Sequence, residues 1–232
     1  MHKGCFLRIV ITVYYFMSSS VQPKTKIGTN AQYAMAISVP RYLCTNEQSQ
    51  IENVFSREEA EYVKDIITEG KTCVLCSASS NVIATRPNVV TGENSEHILL
   101  FPPGNSPMDT LLNNTDRNNC VVFYSSNTPC VETCVKSTEN IFPGLANWTN
   151  VRKEGMNVFV FGNLRKYVGK ETGNDFLIIN LLMPLYRCTS TNVVECQNCL
   201  KDDAPYKHKM PMTLSEINLR RKVLQSLDKL NI

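Results

Sequence analysis

Asn94-Ser95-Glu96-His97 and, farther on, Ser126-Asn127-Thr128-Pro129-Cys130-Val131-Glu132-Thr133-Cys134 are the stretches from which the fold of this chain is read. The first places Ser-Glu ahead of the apolar run Ile98-Leu99-Leu100, a short helix broken by Pro102-Pro103-Gly104. The second puts Pro129 where a helix begins, so Cys130 and Cys134 fall at a helix N-terminus, where the dipole favours thiolates. Positions i and i+4 lie about 40° apart on a helix, so both thiols can face one point. Glu96 precedes Cys130 by 34 residues, room for a helix, a loop and a strand. The strand is Cys120-Val121-Val122-Phe123-Tyr124, a continuous apolar run of the kind buried on both faces of a sheet.

A carboxylate at one helix start and two cysteines at another match the outline of a catalytic metal centre. Such a centre takes three ligands and a Glu that is not a ligand, which carries protons for a metal-activated water. The ligand position two residues before Glu96 holds Asn94, and a neutral amide is a poor zinc ligand beside imidazole, thiolate or carboxylate. His97 follows Asn94 by three residues, so on a helix it shares nearly the same face, about 4.5 Å along the axis. It is the candidate replacement ligand; the alternative is an ordinary hydrogen-bonded histidine. Cys130 and Cys134 have three residues between them, and on their own they also read as a disulfide or two buried thiols. His208, between Lys207 and Lys209, reads as solvated.

On these residues the chain resembles the deaminase superfamily, and within it the secreted relatives of the AID/APOBEC nucleic-acid deaminases. The resemblance spans roughly residues 31–187. It implies an α/β, three-layer cytidine-deaminase-like fold, a five-stranded mixed sheet with helices on both faces. It implies zinc, hydrolytic deamination of cytosine in single-stranded DNA or RNA or in a nucleoside, and a part in immune defence. By the motif, Glu96 matches the proton-carrying Glu, and Cys130 and Cys134 match two zinc ligands. Asn94 stands at the third ligand position. Ser126, Asn127 and Tyr124 fall where the family contacts its base. Asn127 stands in place of the usual Trp, and Tyr124 is the substitute stacking ring. Two other readings stay open: a pseudo-deaminase that binds nucleic acid or protein, and a disulfide-stapled secreted binding module.

At 232 residues the chain has ample length to bury a core, and 43% apolar against 19% charged residues exclude a disordered chain. Met1-His2-Lys3, the apolar run Ile9 to Met17 and Ser18-Ser19-Ser20 read as a signal peptide over residues 1–20, too short to span a bilayer. From residue 21 onward 22 basic residues face 21 acidic ones, a faint footprint for nucleic-acid binding. Ten cysteines fit an oxidising compartment, and their connectivity is not legible. Cys73/Cys76 and Cys196/Cys199 are Cys-x-x-Cys pairs that would bind zinc in a cytosolic chain. Asn113-Asn114-Thr115 and Asn147-Trp148-Thr149 are glycosylation sequons, consistent with a secreted glycoprotein.

The remaining pattern assigns residues 21–200 to one deaminase-like domain, with strands at 31–39, 72–76, 82–90 and around Val158–Phe161. Ser56-Arg57-Glu58-Glu59 is a capping box that opens a helix ended by Gly70, and Pro107 to Leu112 reads as a short helix. Phe176 to Tyr186 is strand or helix up to Pro184. Residues 201–232 form a basic segment and an amphipathic helix packed on the same domain, capped at Thr213 and striped by Leu219, Val223, Leu227 and Leu230.

Overall fold

Short apolar runs rich in β-branched and aromatic residues pair into one sheet, and amphipathic segments cover both of its faces. The computed structural model describes residues 3–18, 32–46, 50–69, 74–128, 140–153, 155–163, 176, 178–190 and 193–199. Its strands are β1 (Ala34–Val39), β2 (Leu75–Ser79), β3 (Val82–Thr85), β4 (Cys120–Asn127), β5 (Met156–Asn163), β6 (Leu185–Ser190) and β7 (Val194–Asn198). They lie in the order β2-β3-β1-β4-β5-β6-β7. The β4–β5 and β5–β6 pairs are parallel and the others antiparallel, so the sheet is mixed as expected.

Among the described residues seven strands stand where five were expected, and the physical reason lies in residues 176–198. The apolar run from Phe176 is helical at residues 178–182, and Pro184 breaks it. The chain re-enters the sheet as β6 at Leu185, and β7 returns beside β6 as a hairpin that closes the edge. Cys188 and Cys196 sit directly opposite each other in that hairpin and are joined, which leaves Cys199 as a buried thiol. A second disulfide ties Cys44 to Cys120, the first residue of β4.

Alternation along β4 divides the core. Val121 and Phe123 face one layer with Leu99, Leu100, Met108, Leu111, Leu145 and Trp148. That layer consists of α4 (Ser95–Leu100), α5 (Pro107–Asn113) and α6 (Phe142–Val151). Val122 and Tyr124 face the other layer, with α1 (Lys3–Ser18), α2 (Arg41–Thr45) and α3 (Arg57–Glu69). The segment read as a signal peptide is thus helix α1, with Val10, Val13 and Met17 buried against the sheet.

Caps fix where these helices start. Ser56 Oγ accepts from the Glu59 amide and Glu59 Oε2 accepts from the Ser56 amide, the expected box at α3. Ser106 and Asp109 make the same reciprocal pair at α5, which the sequence reading did not include. At the far end of this layer the buried Arg152 guanidinium donates to the carbonyls of Leu112, Thr115 and Asp116, tying the end of α5 to the end of α6. α6 rests on α4 so closely that a Cβ on Gly144 would lie 2.6 Å from the Leu100 carbonyl oxygen. The helices expected after Pro129 and from Thr213 lie outside the described residues. Among the described residues, no helix is long and apolar enough to cross a membrane.

Candidate active site

The site forms where α4 meets the carboxyl end of β4. Asn94 is the N-cap of α4, with extended backbone, yet its side chain makes no capping bond. Its Oδ1 lies 3.5 Å from Gln32 Nε2 instead. Gln32 precedes β1, which pairs antiparallel with β4 so that Ala34 stands opposite Ser125. The same pairing brings the start of β1 beside Ser125 and Asn127, under the first turn of α4.

Glu96 is fully buried, and each of its oxygens has partners. Ser125 Oγ lies 2.6 Å from Oε1, and Ser95 Oγ and Gln32 Nε2 each donate to Oε2 at 3.0 Å. Ser125 Oγ is also 2.8 Å from the Asn127 carbonyl oxygen. A hydroxyl has one proton and two lone pairs. With Glu96 ionised, Ser125 donates to it; with Glu96 protonated, Glu96 donates to Ser125, which turns its own proton to Asn127. Both protonation states therefore stay hydrogen-bonded without movement of the backbone.

Ser125 was passed over in the sequence, although strand alternation points to it: it has the parity of Val121 and Phe123, the residues facing the α4 layer. Gln32 carries no such signal, because only the pairing of β1 with β4 brings it to Glu96. His97 Nδ1 lies 2.5 Å from Glu93 Oε1, and its ring stacks on Phe101 at 4.1 Å.

Two of the residues expected to contact substrate are buried. Tyr124 points to the face opposite Glu96, 3% exposed, with its ring 5.7 Å from Tyr33 and 6.0 Å from Tyr14. It is a core residue, because β4 alternates and Ser125 takes the site-facing position. Burial raises the phenols of Tyr33, to about 12, and Tyr124, well above the ordinary value. Ser126 is 4% exposed, and its Oγ accepts from the Tyr33 amide at 3.0 Å, so it holds β1 to β4. Asn127 is half-buried at the end of β4, and its carbonyl belongs to the Ser125 relay. Cys130 and Cys134 lie outside the described residues.

Glu96 is a buried carboxylate, and among the described residues no Lys, Arg or His pairs with it. Such a charge is costly unless compensated by a cation nearby, and the cysteines that could hold one follow β4 directly. Among the described residues, no cluster of three His, Cys, Asp or Glu forms. Beside Glu96, Asn94 offers a neutral amide oxygen, 3.5 Å from Gln32 Nε2. The residues fit zinc, with one weak donor among strong ones.

Residues 10–209 match the family model described as Secreted Novel AID/APOBEC-like Deaminase 1. No curated protein and no solved structure matches the chain.

Proposed function

We propose, for a chain that belongs to the Secreted Novel AID/APOBEC-like Deaminase 1 family, the function of a secreted, zinc-dependent hydrolytic deaminase of cytosine in single-stranded nucleic acid. The observation that carries the reading is the Ser125 hydroxyl set between Glu96 Oε1 and the Asn127 carbonyl, which suits a carboxylate that must gain and lose a proton. Cys130, Cys134 and the Asn94 oxygen would hold the zinc, whose part when bound is to activate water as a nucleophile. Glu96 takes the proton released as water adds to C4 of the base and delivers it to N3; it then takes the proton of the new C4 hydroxyl and passes it to the amino group, which leaves as ammonia while the C4 carbonyl forms. Ser125 keeps Glu96 aligned through both states. Gln32 and Ser95 hold the second carboxylate oxygen, so the group cannot swing away. A part in immune defence is supported by the family resemblance alone.

The test is deamination of cytosine-containing single-stranded oligonucleotides with zinc added, beside a Glu96→Gln variant. Product that disappears in the variant is expected. If native and variant chains both yield none, the reading is overturned, and a pseudo-deaminase takes its place. Asn94 favours that second reading, because a single weak ligand is a simple route to losing the metal while keeping the fold. Retained binding of the same oligonucleotide, without product, would then define the protein as a binder.

A further inference from the structure

We infer that Asn113 carries an N-linked glycan and that Asn147, in the other Asn-x-Thr sequon, does not. The inference rests on secretion, which the family description carries, and not on catalysis.

Asn113 is the last residue of α5 and is exposed, and Asn114 and Asp116 beside it are exposed too. Nothing from the sheet or from α6 has to move for a sugar to leave Nδ2 toward solvent. Thr115 of the sequon turns inward, where its hydroxyl donates to the Leu111 carbonyl at 2.8 Å and accepts from Arg152 at 2.7 Å. Folding therefore engages the hydroxyl that the transferase reads in two hydrogen bonds and leaves the asparagine outside.

Asn147 is placed the other way. It lies within α6, half-buried, beside the fully buried Trp148. Its Nδ2, the atom a glycan would occupy, donates to Asp109 Oδ1 at 2.7 Å. Asp109 is itself 7% exposed and caps α5 through Ser106. A sugar on Asn147 would replace one of the two amide hydrogens and insert a ring into the seam between α5 and α6.

The glycan leaves the candidate active site open. Asn113 leads into the amino end of β4, and Glu96 contacts Ser125 near its carboxyl end, so about 17 Å of strand separates the two regions. The transfer is balanced by a lipid-pyrophosphate-linked oligosaccharide as donor. The bond from sugar C1 to the pyrophosphate breaks, a bond from C1 to Asn113 Nδ2 forms, Nδ2 gives up one proton, and the lipid pyrophosphate leaves.

The experiment takes the full chain secreted from a eukaryotic cell, treats it with a peptide amidase that converts a glycosylated Asn to Asp, and maps the peptides by mass. Conversion at Asn113 alone is expected, with a drop in apparent mass on a gel that Asn113→Gln abolishes and Asn147→Gln leaves in place. Conversion at Asn147, alone or beside Asn113, overturns the inference, as does a secreted native chain that shows no conversion.

Discussion

Ser125 Oγ stands 2.6 Å from Glu96 Oε1 and is the contact through which strand β4 holds the carboxylate of helix α4. The two residues are 29 apart in sequence, so the bond exists only because α4 packs over β1 and β3, beside the end of β4. A hydrogen bond to a charged group contributes about 1.5–3 kcal/mol.

Ser125→Ala removes that contact and leaves Ser95 and Gln32 on the other oxygen. The expected outcome is a kcat lowered about 10–100-fold with KM nearly unchanged, because the loss falls on proton transfer and not on binding. Steady-state kinetics on an oligonucleotide substrate check this, and a variant that changes KM alone would assign Ser125 to binding.

Asn94→His replaces the weak donor with imidazole at the start of α4. Zinc affinity should rise by more than the ~10–100-fold that outer partners of a ligand usually contribute. Metal content after dialysis against a weak chelator reads the change. Equal zinc content in native and variant chains would mean that Asn94 does not face the metal and that another group, such as His97, completes the site.

The buried phenols set an alkaline limit on stability. Burial raises Tyr33 from 10.0 to about 12, and Tyr124 in contact with it is raised well above 10.0. A group whose folded pKa is raised binds its proton more tightly when folded, so its contribution is complete below pH 10 and is lost as pH climbs toward 12. For Tyr33 the loss amounts to about 3 kcal/mol. Denaturant unfolding across pH 9–12 should show this fall, and Tyr33→Phe should flatten it. A native chain with stability constant to pH 12 would contradict the burial of the pair.

Much of the fold was legible because its elements are written in local patterns. Cys120 to Tyr124 reads as a buried strand from five residues, and Ser56 with Glu59 marks the start of α3 from four. The edge hairpin was not legible, because Val194 to Asn198 is a short strand and Cys196 with Cys199 suggested a Cys-x-x-Cys pair. Cys196 instead bonds back across the hairpin to Cys188, a choice made by strand register. In the site, Glu96 stood out by motif. Its partners did not: Gln32 arrives from 64 residues away, and Ser125 is one of two adjacent serines of which only one faces the helix. Tyr124 lies in the core on the face of β4 away from Ser125, a placement the motif does not carry, since a motif aligns residues along the chain and does not state which side of the strand they face.

Helix α1 covers part of one face of the sheet. Val10, Val13 and Met17 are 0%, 1% and 2% exposed, and the Tyr33 hydroxyl donates to the Met17 carbonyl oxygen at 3.1 Å. Burying such a side chain contributes about 1.5–3 kcal/mol, and the whole stability of a domain is only about 5–15 kcal/mol. A chain beginning at residue 21 should therefore be several kcal/mol less stable than the full chain unless another element takes over the face bearing Val122, Tyr124 and Val160. The amphipathic stripe of Leu219, Val223, Leu227 and Leu230 is the segment with the apolar surface to do so. Intact mass of the secreted chain determines which form is made, and denaturant unfolding of chains 1–232, 21–232 and 21–212 measures the rest. Equal stability of the first two, with loss in the third, would assign the cover to the C-terminal helix. A weak 21–232 chain would make α1 part of the working fold.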